Sequence, residues 1–208
     1  MIRAIHIRIL AAAATAAAAL AVAGCKQTED LMTTQQTAIV RYLESSHQPR
    51  LISEEAARES LDEQPQYYSV IGHKAYRYIA NMYYEGREQQ PQAEEGDTVE
   101  ISFDAYVFNY SSVTNSVPYW SNRAATIAAL EQLGGHLDPQ FWSTEPLAVT
   151  AGKDAVYGVS KLLVGCRQGD TVEAYMTYQA AYGNRIVGLV PKESPVAWLL
   201  TVEKVIKH

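Results

Sequence analysis

Gly96-Asp97-Thr98-Val99-Glu100-Ile101-Ser102-Phe103-Asp104-Ala105-Tyr106-Val107 alternates apolar and polar residues from a Gly-Asp turn onward. Val99, Ile101, Phe103, Ala105 and Val107 share one face, the period of two expected of a strand with one side buried. The opening five residues recur verbatim as Gly169-Asp170-Thr171-Val172-Glu173, after which Val172, Ala174 and Met176 again share a face. Two copies of five residues do not make a repeat protein. They predict one turn chemistry used twice, each time to launch a strand.

Between these strands, Val159, Leu162, Leu163 and Cys166 fall at helical spacing in 158–169, a stretch ended by a glycine able to take a left-handed cap. A last strand over 196–205 points Trp198, Leu200 and Val202 one way. Upstream, residues 67–84 are dense in Tyr, Ile and Val and predict one or two strands broken at Gly72, followed by a polar connection over 85–95. Ile39, Val40 and Leu43 mark one face of a helix from about Thr34, with Thr33 and Gln36 able to form a capping box. Ser53 is the expected N-cap of a second, short helix. The order predicts an α+β fold: an antiparallel sheet packed on one short helix, with a small helical N-terminal segment.

The first residues carry a different message. Arg3 and Arg8 precede an apolar run from Ile9 to Gly24 that is shorter than the roughly 20 residues a membrane span needs. A basic start, a short apolar stretch and small residues at its end read as a secretion signal over 1–24. Val22-Ala23-Gly24-Cys25 resembles the bacterial lipobox, which implies cleavage before Cys25 and lipidation of its thiol. Two or more acyl chains anchor a protein stably. The expected location is therefore the cell envelope. Lys26, rather than an aspartate, favours the outer membrane, on its periplasmic face or at the cell surface. Residues 25–35 read as the membrane tether, 36–95 as an N-terminal helical and strand segment, and 96–208 as the main domain.

Composition excludes several functions. The 17 Lys and Arg, less Arg3 and Arg8, leave 15 against 23 Asp and Glu, a net charge of −8 after cleavage with no basic run. That offers nucleic acid no electrostatic footprint. His6, His47, His73, His136 and His208 show no metal-ligand spacing, so no metal and no cofactor is expected. No nucleophile elbow, Walker loop or dinucleotide fingerprint is present. Any activity should need neither metal, nucleotide nor covalent nucleophile.

From Gly96 to about Lys207 the chain resembles the FKBP-type peptidyl-prolyl cis-trans isomerase domain. The matching pieces, in the family's order, are Gly96-Asp97-Thr98-Val99 with Phe103, Tyr119-Trp120-Ser121-Asn122, Glu145-Pro146-Leu147 through Gly152, and Val156-Tyr157-Gly158-Val159. Gly169-Asp170 follows, then Ala180-Ala181-Tyr182-Gly183 and Val190-Pro191-Lys192-Glu193-Ser194-Pro195-Val196. Residues 26–95 have no counterpart beyond a leading strand near 75–80. An insertion, 123–144, departs from the family in length and carries a helical stretch, Ala124–Leu133, that could be a lid, a recognition surface or packing.

The resemblance implies isomerisation of prolyl bonds in proline-containing peptides or unfolded extracytoplasmic chains. The catalytic residues it implies are Tyr182, Phe103, Tyr119 and Trp198, with Tyr182 donating its hydroxyl to the substrate carbonyl. Leu147, Val156, Val190 and Trp120 would complete the substrate-binding walls, with Val159 at the floor. Two positions depart from the pattern: Trp120 stands where the family places an aspartate, and Val159 where it places a bulkier residue. These departures imply weak activity. The alternative is a non-catalytic peptide-binding or chaperone lipoprotein on the same fold.

Overall fold

The two Gly-Asp turns are built alike. In a computed structural model that describes residues 30–139, 141–153 and 156–208, Asp97 N–H donates to Glu94 O at 3.1 Å and its carboxylate accepts from Glu94 N–H at 2.7 Å. Asp170 repeats this pair on Arg167, at 3.0 and 2.8 Å. Each preceding glycine has a positive φ, 100° at Gly96 and 87° at Gly169, which a side chain would oppose. Each aspartate also holds a distant cation. Asp97 accepts from Lys207 at 2.8 Å, and Asp170, fully buried, pairs with Arg87 through two 2.8 Å bonds. The repeated five residues thus fasten the entry of each strand to another part of the chain.

Those strands are β4 (Thr98–Val107) and β7 (Thr171–Met176). The others are β1 (Ile52–Ser53), β2 (Tyr67–Ile71), β3 (Ala75–Ile79), β5 (Trp120–Ser121), β6 (Leu147–Thr150) and β8 (Val196–Ile206). Among the described residues they form one sheet in the order β1-β2-β3-β7-β8-β4-β5, antiparallel except for β1 with β2. β6 pairs the first half of β4 on the edge whose second half takes β5. The α-helices among the described residues are α1 (residues 30–41, continuing into a π-helical turn at Tyr42–Ser46), α2 (Glu54–Arg58), α3 (Ala124–Gln132) and α4 (Tyr157–Leu163), with a 3-10 turn at Arg87–Gln89.

Because strand side chains alternate, the sheet builds a core on each face. Phe103, Val172, Ala174, Trp198 and Leu200 pack with Val159, Leu162 and Leu163 of α4. On the other face Tyr175 and Ala197 pack with Ile39, Tyr42 and Leu43 from α1 and its π-helical turn. The α+β class and the antiparallel sheet on a short helix stand as expected, and Ser53 caps α2 by accepting from Ala56 N–H at 3.2 Å.

Four expectations need correction. Residues 30–35 are helical rather than part of a tether, because the apolar face of α1 has a sheet to bury against. Thr33 and Gln36 form no capping box: both lie inside α1, and Gln36 donates its amide to His73 O. Nor does Gly96 divide two units. β3 lies within the sheet, paired with β7 from Ala75↔Met176 to Ile79↔Val172, and β2 pairs beyond it. The helix expected between Val159 and Cys166 ends at Leu163, and the first left-handed glycine after it is Gly165, not Gly169. The signal, Cys25 and Lys26 lie outside the described residues.

Candidate active site

The site begins near the start of β8. Trp198 is fully buried against Phe103, the rings stacked 4.4 Å apart at 18°. Trp120, on the edge strand β5, sets its indole edge-on to both, at 4.7 Å from Phe103 and 5.6 Å from Trp198. β5 is fixed to β4 by Asn122, whose buried amide accepts from Phe103 N–H at 2.7 Å and donates to Ile101 O at 2.9 Å. The aromatic cluster is therefore positioned by backbone pairing rather than by a mobile loop.

Over these rings lies a cavity of about 200 Å³ lined by Trp120, Leu147, Ala148, Val149, Val156, Val159 and Trp198. It is smaller than sites for drug-sized ligands, which run about 300–1,000 Å³, and suits a single ring. Val159 reaches it from α4, whose first turn sits close to the chain at Gly158. A Cβ there would lie 2.6 Å from Ala180 O and against Met176 Sδ, and Gly158 N–H donates to Ala180 O at 2.7 Å. Gly158 thus lets the helix bearing Val159 touch the loop bearing Tyr182.

Beside the cavity, sharing Trp120 and Val156 with it, opens a groove of about 580 Å³. Tyr119, Tyr182, Val187 and Leu189 form one part of its lining, and His136, Leu137, Phe141 and Trp142 of the insertion the other. Trp120 Nε1 donates to Phe141 O at 2.8 Å, tying the insertion to the aromatic cluster.

The polar groups form one chain. Trp198 Nε1, which can only donate, donates to the Tyr119 hydroxyl at 2.8 Å. The Tyr119 and Tyr182 hydroxyls lie 3.0 Å apart. When the Tyr119 hydroxyl donates to Tyr182, the Tyr182 O–H is left for a ligand. Burial pushes both phenols above their ordinary range, Tyr119 far above it, so both stay protonated at any physiological pH.

Of the residues named from sequence, Trp120, Leu147, Val156, Val159 and Trp198 line the cavity, and Tyr119 and Tyr182 the adjoining groove. Phe103 and Val190 line neither. Phe103 is sealed behind Trp198, and Val190 turns into the core where the backbone bridges Val187 and Val190. The groove residues of the insertion lie outside the set expected from sequence. The pair Phe141-Trp142 in an otherwise polar stretch was the signal for them. Among the described residues no group of three His, Cys, Asp or Glu is placed to hold a metal ion.

No protein-family model matches the chain. No curated protein matches it either. Among solved structures it is similar to the three FKBP domains of wheat FKBP73, at 13% identity and a TM-score of 0.50, over 69% of this chain and 52% of that one. It is also similar to a peptidyl-prolyl cis-trans isomerase from Pseudomonas syringae pv. tomato (12% identity, TM-score 0.49, 86% of this chain and 96% of that one). A further similar structure is the N-terminal domain of FKBP42 from Arabidopsis thaliana (14% identity, TM-score 0.46, 71% and 96%). The chain spans about half the length of the wheat structure, and at that identity the likeness is one of fold. The fold is FKBP-like α+β.

Proposed function

We propose that this chain is an FKBP-type peptidyl-prolyl cis-trans isomerase acting on proline-containing segments of extracytoplasmic polypeptides. The observation that carries the reading is the meeting of a ring-sized apolar cavity with a hydroxyl donor, Tyr182, held by Tyr119 and Trp198.

The chemistry asks for little more. Amide resonance sets a rotational barrier of about 18–20 kcal/mol, and catalysis requires only that the twisted amide be bound better than the planar one. The twisted form has less charge separation, so a water-poor cavity favours it. Trp198 and Trp120 would hold the prolyl ring, and the Tyr182 hydroxyl would donate to the carbonyl that precedes it. No proton changes hands. Trp120 has already committed its N–H to Phe141 O and offers the cavity no polar group, which supports a slow enzyme.

Cis-to-trans relaxation of a proline peptide tests this. We expect acceleration over buffer by the folded protein. Failure of a folded sample to accelerate the reaction sinks the enzymatic reading, and binding of the same peptide without turnover would support the peptide-binding alternative.

The lipid anchor at Cys25 belongs to the same proposal and rests on Val22-Ala23-Gly24-Cys25 at the end of the apolar run, and the outer-membrane location rests on Lys26. Labelling with a fatty-acid analogue should mark the wild type and not Cys25→Ser. Label retained in the variant would refute it.

A further inference from the structure

We infer that Gln35 of α1 is a positioning residue for Tyr182, an inference that rests on the isomerase reading for its catalytic consequence. Gln35 is 2% exposed and its amide spans the two stems of the loop that carries Tyr182. Oε1 accepts from Tyr178 N–H at 2.9 Å and Nε2 donates to Glu193 O at 2.9 Å. The loop closes between the same stems: Gly183 N–H donates to Tyr178 O at 2.7 Å, and Glu193 N–H donates to Gly183 O at 3.0 Å. Gly183 directly follows Tyr182. Gly183 is therefore bonded through both its N–H and its C=O, to two residues that Gln35 holds.

Only an amide does this. One stem presents a donor and the other an acceptor, the Tyr178 N–H buried and the Glu193 carbonyl partly so. A carboxylate could serve Tyr178 but would face the Glu193 carbonyl with like charge, and an apolar side chain would strand both groups. Neither partner is local, since the two bonds link residues 143 and 158 positions apart. The same α1 that closes the far side of the sheet thus sets the place of Tyr182 beside Tyr119.

Gln35→Met keeps the length and packing of the side chain and removes both bonds. Gln35→Asn, a fallback that keeps an amide but draws it back by one methylene, cannot reach both stems. We expect kcat/KM to fall about tenfold in either variant, and to fall no further when the change is added to Tyr182→Phe, since Gln35 acts through that hydroxyl. Amide exchange at Gly183, whose own acceptor is Tyr178 and not Gln35, should quicken at least about tenfold, while Val172 on β7 keeps its protection. Equal losses in the two backgrounds, or exchange quickened equally throughout the sheet, would overturn the proposal in favour of plain stabilisation. If the wild type accelerates no prolyl peptide, the isomerase reading fails by itself. Exchange at Gly183 then decides the positioning claim: unchanged protection refutes it, and local loss supports it.

Discussion

The hydroxyls of Tyr119 and Tyr182 stand 3.0 Å apart, and the indole N–H of Trp198 fixes the Tyr119 oxygen from the other side at 2.8 Å. The two tyrosines are therefore unequal. Tyr119 satisfies a buried donor of the core, whereas Tyr182 ends the chain and has a proton to give.

Removing each hydroxyl should separate these roles. On the proposed reading Tyr182→Phe deletes one neutral hydrogen bond to substrate, worth about 0.5–1.5 kcal/mol, and should slow turnover up to about tenfold; it also takes the acceptor from the Tyr119 hydroxyl, so the melting temperature should fall slightly. Tyr119→Phe strands the Trp198 N–H and should cost about 1–3 kcal/mol of stability by denaturant titration. A reversed pattern would show that the chain of bonds runs the other way.

Gly158→Ala tests the seam between the cavity floor and the Tyr182 loop. Its Cβ would press on Met176 and on Ala180 O, a backbone atom that cannot swing aside. Overpacking of this kind typically costs about 1–3 kcal/mol. We expect a loss of that size in urea unfolding, accompanied by altered tryptophan fluorescence. A neutral substitution would mean that α4 shifts freely.

Stability should decline on the alkaline side through His47. Its Nδ1 faces Pro49 O and its Nε2 the Glu173 carboxylate at 2.9 Å, both acceptors, so the protonated ring, which donates from both nitrogens, is the form these partners favour. Burial pushes its pKa down, but the bonds to Glu173 and Pro49 outweigh burial and leave it raised above 6.5. A raised histidine pKa adds stability that is complete below about 6.5 and lost as pH climbs through the folded value. The melting temperature should fall as pH rises above about 6.5, and His47→Gln should flatten that slope. An unchanged slope in the variant would assign it to other groups.

A chain beginning at Ala75 would keep β3 but lose α1, β1 and β2. Tyr76, Tyr78, Tyr175 and Phe108 would then face water where Ile39, Leu43, Leu51 and Tyr68 now cover them. We expect such a chain to bind a hydrophobic dye and to melt without a cooperative transition. A sharp thermal transition would show that the second core is dispensable.

The insertion should set peptide preference. Phe141 is 63% exposed at the groove, so Phe141→Ala should change stability by less than about 0.5 kcal/mol. Fully burying a bulky apolar side chain is worth about 1.5–3 kcal/mol, and a half-open groove gives part of that. The wild type should therefore favour phenylalanine over alanine before the proline by about tenfold, and the variant should lose most of that ratio. Peptide competition in the relaxation assay measures it.

Local chemistry is legible in a sequence because its partners are near. The Gly-Asp turns close on residues three positions back, Ser53 caps α2 through Ala56, and the alternation in β4 and β8 needs only a period of two. From these came the α+β class, and with the spaced family pieces came Trp120, Leu147, Val156, Val159, Tyr182 and Trp198 as neighbours. Tertiary structure decided what depends on distant partners. Phe103 reads as a pocket aromatic until Trp198 stacks over it. Residues 30–35 read as a tether, being too polar to show a helical face, until the outer face of the sheet gives α1 something to cover. Gln35 carries no signal at all, because the groups it satisfies are a bare N–H and a bare C=O, and backbone groups look the same in every residue.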